Sequence, residues 1–403
     1  MRFCMVTTFY PPFHFGGDAT YVRALSMALA ARGHEVAVVH CEDAYALAGK
    51  AIETLPPPDE GIAVHRLKSR FGALSPLITQ QTGRPGLKAN ALQSLLRQPF
   101  DVVHFHNISL IGGPAVLRLS QAPVTLYTLH EHWLLCPTHI FWRNRREACT
   151  RRTCFSCSLR SRIPPQLWRY TGLAKKAVAH VDALIAPSEF TARLHRDAGF
   201  RPAPVVLPLF SNLAPSDDGP PARPSRPRFL YVGRVTRSKG LVPLLATFAR
   251  HPAYDLLVIG DGDMRPALQR QYAPFDHIRF LGPLSQPDLI AHYRAATALV
   301  FPSLAPETFG LSIVEALACG TPAIVRDAGG SREIIEATGG GVVYRDDDEL
   351  DKALRHFAGD WQARCIMGAR GREGVHRFYT KERHVNAYLA LIAGLGQDKM
   401  QQR

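Results

Sequence analysis

The chain alternates short, almost uniformly apolar runs with longer segments whose apolar positions recur every three or four residues. The first apolar run, "RFCMVTTF", is followed by a loop, by the helical pattern "TYVRALSMALAARG", which ends at Gly33, and by a second run, "HEVAVVH". Short apolar runs separated by helical segments are typical of strands that are buried on both faces of a parallel sheet. The opening therefore predicts a β-loop-α-β unit with a right-handed crossover.

The same alternation occurs on both sides of a segment that is rich in proline, "NLAPSDDGPPARPSRP". Strands are predicted before it at "DVVHFH", "VTLYTLH" and "DALIAPS", and after it at "RFLYVGR", "YDLLVIGDG", "HIRFLG", "TALVFPS", "TPAIVRD" and "GGVVY". The sequence thus predicts the α/β class, with two Rossmann-like, doubly wound domains that face each other across a cleft.

The domain boundaries follow from this pattern. We expect an N-terminal domain over residues 1–210, a linker over 211–227 and a C-terminal domain over 228–378. Residues 379–403 predict a C-terminal helix that packs back on the N-terminal domain. A chain of 403 residues exceeds what one ordinary hydrophobic core accommodates, which agrees with two domains.

The composition indicates a folded globular protein, because 46% of the residues are hydrophobic and 20% are charged. We find no apolar run of the roughly 18 residues that a membrane-spanning helix needs. The N-terminus shows neither a basic leader nor a small-residue cleavage site, so we expect a cytoplasmic location.

The net charge of +14 is unevenly distributed. Residues 1–205 carry 24 Lys and Arg against 13 Asp and Glu, and within 143–176 ten basic residues are accompanied by a single acid, Glu147. This excess fits a solvated surface, an anionic membrane surface at which the protein is peripheral, or a phosphate-bearing substrate. No nucleic-acid partner is expected, because we find no base-reading or stacking module.

Glycine, histidine and charged residues follow the predicted strands. Gly16 and Gly17 come after the first strand, His130 ends "VTLYTLH", Arg234 follows "FLYVG" and Gly260 follows "LLVI". Ligands of such folds bind beyond the carboxyl ends of the strands. These residues are therefore candidates for a binding site.

A further candidate stretch is "PETFGLSIVEALACG", which places Glu307 in a loop and Glu315 eight residues later inside a predicted helix. The start of a helix offers unpaired N–H donors and positive potential, which suits the phosphates of a nucleotide. Two carboxylates on either side of such a start suit two sets of ligand hydroxyls. The stretch therefore indicates a nucleotide-sugar site, or else a capped helix with one solvated glutamate.

Taken in order, several motifs resemble those of the retaining nucleotide-sugar glycosyltransferases of the GT-B fold, the group similar to glycogen synthases and mannosyltransferases with an E-x7-E signature. They are "FHFGGDATYVRAL", "DVVHFHN", "TLHEHW", "APSEFTARL", "YVGRVTRSKGL", "VIGDGDMRPAL", "FLGPLS" and "PETFGLSIVEALACGTPAIVRDAGGSREII". The resemblance covers nearly the whole chain.

The resemblance implies a role for each candidate residue. Arg234 and Lys239 would neutralise the donor diphosphate and stabilise the leaving group, Glu307 would hold the transferred sugar, and His130 would shape the reacting centre. The remaining implied donor contacts are Gly16, Gly17, Gly260, the backbone of Phe309, Gly310 and Leu311, and Glu315 at the ribose hydroxyls.

The resemblance also implies the reaction, which is the transfer of a hexose from a UDP- or GDP-sugar to a hydroxyl of a glycan or lipid-linked acceptor, with retention of configuration. The setting would be cell-surface polysaccharide or glycolipid assembly. The resemblance implies that transfer does not need a metal, because the side chains of Arg234 and Lys239, and not Mg²⁺, would neutralise the diphosphate. The alternatives are a GT-B epimerase or phosphorylase-like enzyme, and a protein that binds nucleic acid or lipid through its basic, cysteine-rich segment.

An insertion at about residues 133–170 departs from the family pattern. It contains Cys136, Cys149, Cys154 and Cys157 with the spacing C-x12-C-x4-C-x2-C. Clustered cysteines in a cytoplasmic protein favour a metal over disulfides, and four thiolates suit a structural zinc. Uncoordinated or disulfide-capable thiols and an iron–sulfur cluster are the alternatives.

Overall fold

The chain folds into two α/β units. The computed structural model describes residues 1–47, 57, 59–213 and 223–401, without the side chain of Met400. The first unit comprises Met1–Ile140, Arg152–Leu209 and Lys381–Arg403, and the second comprises Phe141–Arg151 and Phe210–Thr380. Residues 214–222 of the predicted linker lie outside the described residues.

The described strands are short, as expected for buried parallel sheets. They are β1 (Arg2–Val6), β2 (Glu35–Cys41), β3 (Ile62–Leu67), β4 (Val102–Phe105), β5 (Val124–Thr128), β6 (Trp142–Arg143), β7 (Glu147–Ala148), β8 (Ala183–Ala186), β9 (Val205–Val206), β10 (Arg228–Val232), β11 (Asp255–Ile259), β12 (Ile278–Gly282), β13 (Ala298–Phe301), β14 (Ala323–Arg326) and β15 (Gly341–Tyr344).

Helices connect most of these strands. They are α1 (Gly17–Ala30), α2 (Glu42–Leu47), α3 (Leu74–Thr82), α4 (Ala89–Leu96), α5 (Cys154–Arg160), α6 (Leu173–Val178), α7 (Glu189–Asp197), α8 (Leu241–Ala249), α9 (Arg265–Gln271), α10 (Gln286–Arg294), α11 (Leu311–Ala318), α12 (Ser331–Thr338), α13 (Asp347–Gly359), α14 (Trp361–Phe378) and α15 (Lys381–Gln401). Short 3₁₀ helices occupy Gly86–Lys88, Pro114–Leu119, Leu167–Tyr170 and Arg237–Lys239.

Each unit has one parallel sheet with the strand order of a dinucleotide-binding fold. The first sheet runs β3-β2-β1-β4-β5-β8-β9 and the second runs β12-β11-β10-β13-β14-β15. In both sheets the chain order reverses beside the first strand, between β1 and β4 and between β10 and β13, and this is where such sheets bind ligands. The predicted pair of doubly wound domains is confirmed.

The central strands are buried along their whole length, which explains why their sequences are continuously apolar. Strands β4, β5, β8, β11 and β13 have every residue buried. Strand β3 was not predicted. It lies at an edge of the first sheet, and its four central residues, 63–66, are exposed or half-buried. An edge strand with mixed burial gives a weaker apolar signal.

Helix α15 belongs to the first unit and is held there by buried polar contacts. Tyr388 is buried, and its hydroxyl lies 2.9 Å from Nδ1 of His104 on β4. His384 lies 2.6 Å from the hydroxyl of Tyr21 on α1, and its Nδ1 donates to the carbonyl of Pro208 at 2.7 Å. Because a carbonyl only accepts, Nδ1 of His384 carries the hydrogen, and its Nε2 accepts a hydrogen bond from the Tyr21 hydroxyl.

Among the described residues, no helix has both the length and the apolar content to cross a membrane.

The turn before α8 requires glycine, which gives a direct test of the second unit. Gly240 has a φ of +74°, and a Cβ there would lie 1.8 Å from the carbonyl oxygen of Pro302. Gly320 has nearly the same φ, +72°, with nothing within 4 Å of its would-be Cβ. We expect Gly320→Ala to cost about 1 kcal/mol of unfolding free energy, from backbone strain alone, and Gly240→Ala to cost at least about 3 kcal/mol.

Urea unfolding of the two variants and the parent chain measures this difference. Gly320→Ala is the matched control, since it introduces the same methyl group at the same backbone conformation. Equal losses of stability in both variants would mean that the contact between Gly240 and Pro302 does not constrain the turn.

Candidate functional site

The candidate site of the second unit lies where two loops leave neighbouring strands at the point of chain reversal. Residues 233–240 follow β10, and residues 302–310 follow β13. The loops are tied by backbone hydrogen bonds, because the amides of Leu304 and Ala305 both donate to the carbonyl of Ser238, at 2.9 and 3.1 Å. Together with the close approach of Gly240 to Pro302, these bonds give a fixed backbone on which side chains are presented.

An ion pair joins the two loops. Lys239 Nζ donates to Glu307 Oε1 at 2.6 Å, and the hydroxyl of Ser303 donates to the same oxygen at 2.5 Å. The Lys239 and Glu307 side chains are 21% and 18% exposed. The structure therefore brings two of the sequence-predicted catalytic residues into direct contact, with one face of the pair open to solvent.

A third chain segment holds the backbone of Glu307. Its amide donates to the carbonyl of Ala328 at 3.2 Å, and its carbonyl accepts from the amide of Gly330 at 2.7 Å. These residues form the turn after β14. The loops that follow three neighbouring strands, β10, β13 and β14, therefore meet at Glu307. The position of its carboxylate is set by backbone on both sides.

Arg234 lies in the same loop as Lys239 but in a different environment. It is exposed, and among the described residues its guanidinium forms no ion pair. Its carbonyl accepts from the buried hydroxyl of Tyr231 at 2.6 Å, which fixes the backbone. A Cβ on Gly260 would lie 2.0 Å from the carbonyl oxygen of Gly233, so the loop after β11 packs directly beneath Arg234.

Helix α11 begins at this site, with Gly310 at its N-cap. No side chain of the described residues caps the helix, which leaves the first amides of the helix for a ligand. The ring of Phe309 points away into the unit, where it meets Tyr379 edge-on with 5.8 Å between centroids. Phe309, Gly310 and Leu311 therefore offer backbone groups to the site, as the sequence predicts for a phosphate contact.

Glu315 lies on the first two turns of α11 and is buried in part. Its Oε2 accepts from the fully buried hydroxyl of Tyr293 at 3.1 Å. Burial raises the pKa of the Glu315 carboxyl to about 7, and the Tyr293 hydrogen bond opposes the rise only in part. The carboxyl is therefore partly protonated at neutral pH, and a ligand that donates hydrogen bonds to the carboxylate favours release of the proton to solvent.

In the first unit, His130 follows β5 and meets other histidines. Its Nε2 lies 3.0 Å from Nδ1 of His106, which follows β4. Burial lowers the pKa of His130 to about 4, with the Asp18 carboxylate opposing and His384 adding to the fall. The pKa of His106 is also well below its usual value because of burial. Both rings are neutral at pH 7.

Burial does not favour one direction of the hydrogen bond between these rings, because Nε2 of His106 and Nδ1 of His130 are both buried. Whichever ring accepts the bond carries its own hydrogen on its other nitrogen.

Gly16 and Gly17 stand at the start of α1 in the same unit. Gly16 is the N-cap residue, and Gly17 is the first residue of the helix. Asp18 follows in the first turn, and its Oδ2 accepts from Nδ2 of Asn107 at 3.2 Å. The helix start, the loop after β4 and His130 are thus near neighbours at the chain-reversal point of the first sheet.

The structure does not show a metal site at the four clustered cysteines. Among the described residues, no group of three or more His, Cys, Asp or Glu side chains is arranged to hold a metal ion. Burial raises the pKa of the Cys154 thiol, and the nearby Cys136 and Cys157 add to the rise. Cys149 directly follows β7, in the segment Phe141–Arg151 that belongs to the second unit. The zinc site stays a prediction.

Several residues that build the site were missed in the sequence. Ser303, Tyr293 and the turn at Ala328–Gly330 were not predicted, although Ser303 stands at a strand end like the other candidates. Tyr293 gave no signal, because an aromatic residue at the end of a helix is usually core. His106 also follows a predicted strand, and its contact with His130 depends on the order of the strands.

Comparisons with known proteins find family matches in both units. Residues 217–374 match the family model described as glycosyl transferases group 1, and residues 15–207 match the model described as Glycosyltransferase Family 4. A glycogen synthase of Mycobacterium tuberculosis is 30% identical over 396 residues, covering 89% of this chain and 86% of that protein.

Solved structures show the same fold. The sucrose-phosphate synthase of Thermosynechococcus elongatus superimposes with a TM-score of 0.76 at 21% identity, over 98% of both chains. Anabaena HepE in complex with UDP-glucose superimposes with a TM-score of 0.63 at 18% identity, over 100% of this chain and 99% of that one. The fold is therefore GT-B. With the extended match to the glycogen synthase, these results show that the chain belongs to the GT-B glycosyltransferases that combine a Family 4 domain with a group 1 domain.

Proposed function

We propose that this glycosyltransferase moves a hexose from a nucleotide-sugar donor to an acceptor hydroxyl with retention of configuration. The observation that carries the proposal is the Lys239–Glu307 pair at the chain-reversal point of the second sheet, with the exposed Arg234 in the same loop. Two cations and an uncapped helix start suit a diphosphate, and a nearby carboxylate suits sugar hydroxyls.

Donor binding would rearrange the ion pair. The diphosphate competes with Glu307 for the ammonium of Lys239, and the carboxylate that loses this partner accepts hydrogen bonds from the sugar hydroxyls. Because the pair is only one-fifth exposed, each group needs a replacement partner. The same two residues therefore serve the phosphate and the sugar of one ligand.

The chemistry needs fixed positive charge more than a protein nucleophile. As the bond from the anomeric carbon to the phosphate oxygen breaks, negative charge grows on the leaving nucleoside diphosphate, where Arg234 and Lys239 neutralise it. That leaving oxygen then accepts the proton of the acceptor hydroxyl while the new glycosidic bond forms on the same face. No metal is required in this scheme. For His130 of the first unit, whose burial keeps the imidazole neutral, we retain the role that the family resemblance implies, which is to shape the reacting centre.

Among the possible bases of the donor nucleotide, we expect uracil. The structural neighbour HepE was solved with UDP-glucose, which supports a nucleotide-sugar donor for the shared fold. A panel of UDP-, GDP-, ADP- and TDP-sugars, scored by thermal shift and by donor hydrolysis with and without EDTA, identifies the donor. A strict need for added divalent metal would contradict the metal-free scheme.

Removing a side-chain cation that contacts the donor diphosphate should suppress turnover. We expect Arg234→Ala and Lys239→Ala each to lower kcat about a hundredfold, since a charged contact that strengthens in the transition state contributes about 3 kcal/mol. Arg237→Ala is the matched control, because Arg237 is an exposed cation of the same loop. Hydrolysis or transfer from the best donor of the panel measures the effect. Similar activity in all three variants would remove the donor site from this loop.

The pH dependence of donor binding tests Glu315. Ribose hydroxyls bind the carboxylate form, so binding lowers a pKa that is about 7 in the free protein and releases a proton. Affinity for a UDP-sugar should therefore rise as pH increases from 6 to 8, by roughly tenfold per unit at most below the pKa. A UDP-sugar is the suitable ligand, because its diphosphate stays ionised over this range.

The Glu315→Gln variant should bind the UDP-sugar more weakly and without this pH dependence. Calorimetry in two buffers of different ionisation enthalpy counts the released proton directly. If the parent chain releases no proton, or the variant keeps the same pH profile, Glu315 does not contact the ligand.

We further propose that Cys136, Cys149, Cys154 and Cys157 hold one structural zinc, which supplies the folding energy that an arginine-rich insertion lacks. Protein prepared without chelator should carry about one zinc per chain, and Cys154→Ser should lower the metal content and the stability of the insertion. Cys365→Ser, a half-buried cysteine of α14, is the control. Absence of both zinc and iron, with four titratable thiols, would show that the cluster is not a metal site.

A further inference from the structure

The first unit exposes large apolar side chains in two restricted segments. Among the described residues, fourteen large hydrophobic side chains are exposed, and eight of them lie within residues 71–87 and 155–170. Leu167 and Tyr170 are the most exposed of all, at 65% and 64%. Scattered exposed apolar residues are normal, whereas a concentration of this kind marks an interaction surface.

The apolar residues follow the periodicity of their helices. On α3, Leu74 and Ile78 are exposed one turn apart. The residues that follow them, Ser75 and Thr79, are buried and accept hydrogen bonds from Lys88. On α5, Phe155 and Leu159 are exposed in the same way, with Cys157 and Ser158 buried between them. Both helices are therefore amphipathic, with an apolar stripe that faces solvent.

The two segments are joined in one surface region. The indole of Trp168, in the 3₁₀ turn 167–170, donates to the carbonyl of Gln80 on α3 at 2.9 Å. A side-chain hydrogen bond from Gln81 to the carbonyl of Pro164 adds a second link, at 3.4 Å. Because Trp168 is buried against the end of α3, Leu167 and Tyr170 on either side of it extend the exposed region of α3. We call residues 71–87 and 155–170 the apolar face.

The sequence around the apolar face contains only basic charges. Residues 61–100 carry six Lys and Arg and no Asp or Glu, and residues 148–181 carry seven and none. Eleven of these thirteen basic residues are exposed, the exceptions being Lys88 and Arg169. Arg70, for example, places its guanidinium 4.8 Å from the ring centre of the exposed Phe71. The ammonium of Lys68 pairs with Glu42 at 2.8 Å, so one of these charges is neutralised. An apolar face within a mainly cationic surface complements an anionic, amphipathic partner.

We propose that the apolar face docks the protein on the surface of an anionic phospholipid bilayer. The apolar side chains enter the boundary between headgroups and acyl chains, and the surrounding Lys and Arg side chains contact the phosphates. A second copy of the chain fits this face poorly, since two such cationic surfaces repel each other. A nucleic acid also fits poorly, because five of the eight exposed side chains are aliphatic and offer no stacking surface.

Flotation with lipid vesicles tests the proposal on the full-length protein. We expect binding to vesicles of phosphatidylcholine mixed with phosphatidylglycerol and little binding to phosphatidylcholine alone, with the bound fraction falling as salt increases. The double variants Leu74→Ser/Ile78→Ser and Leu167→Ser/Tyr170→Ser should each lower vesicle affinity at least tenfold. Arg160→Glu/Arg162→Glu should lower it similarly.

Matched controls separate the face from general surface effects. Val242→Ser/Ile366→Ser removes exposed apolar residues of the second unit, and Arg270→Glu reverses an exposed charge there, so both should bind vesicles like the parent chain. Thermal unfolding verifies that each variant is folded, and nucleotide binding need not change. The proposal would be overturned by equal binding to both vesicle types or by equal losses of binding in the control variants. Stronger competition by RNA than by anionic vesicles, or self-association that depends on Leu167 and Tyr170, would also overturn it.

Discussion

The ion pair between Lys239 and Glu307 is the contact on which the candidate site depends. It connects residues 68 positions apart, at the only chain reversal in the described strand order of the second sheet. The surrounding backbone permits little adjustment, since Ser238, Gly240 and the turn at Ala328–Gly330 fix both loops. A pair that is partly exposed and rigidly mounted is well suited to exchange one partner for a ligand without a change of fold.

Helix α11 is associated with the second property of the site, which is a difference between its two carboxylates. Glu307 lies before the helix beside a cation, whereas Glu315 lies within it beside a tyrosine hydroxyl and has a raised pKa of about 7. Carboxylates with such different surroundings are suited to different parts of one ligand.

The sequence predicts most of the fold, because the strands that form the centre of each sheet are buried on both faces and therefore read as apolar runs. The edge strand β3 and the two-residue strands of the β6–β7 hairpin lack that signal and were missed. The candidate residues were found because polar groups at strand ends stand out against apolar runs, and because their order resembles that of a known family. Ser303 and Tyr293 were not found, since their roles depend on contacts between loops that are distant in sequence.

The exchange of partners at Lys239 is the central claim, and the affinity of Glu307→Gln for UDP, measured by calorimetry beside its rate of sugar transfer, tests it most directly. The neutral amide holds the ammonium less strongly, so more of its charge is left for the diphosphate. We predict that UDP binds the variant severalfold more tightly than it binds the parent chain, while transfer falls by about a hundredfold or more because the sugar has lost its carboxylate. Loss of UDP affinity together with transfer would contradict the account, because Glu307 would then serve only to hold Lys239 in place.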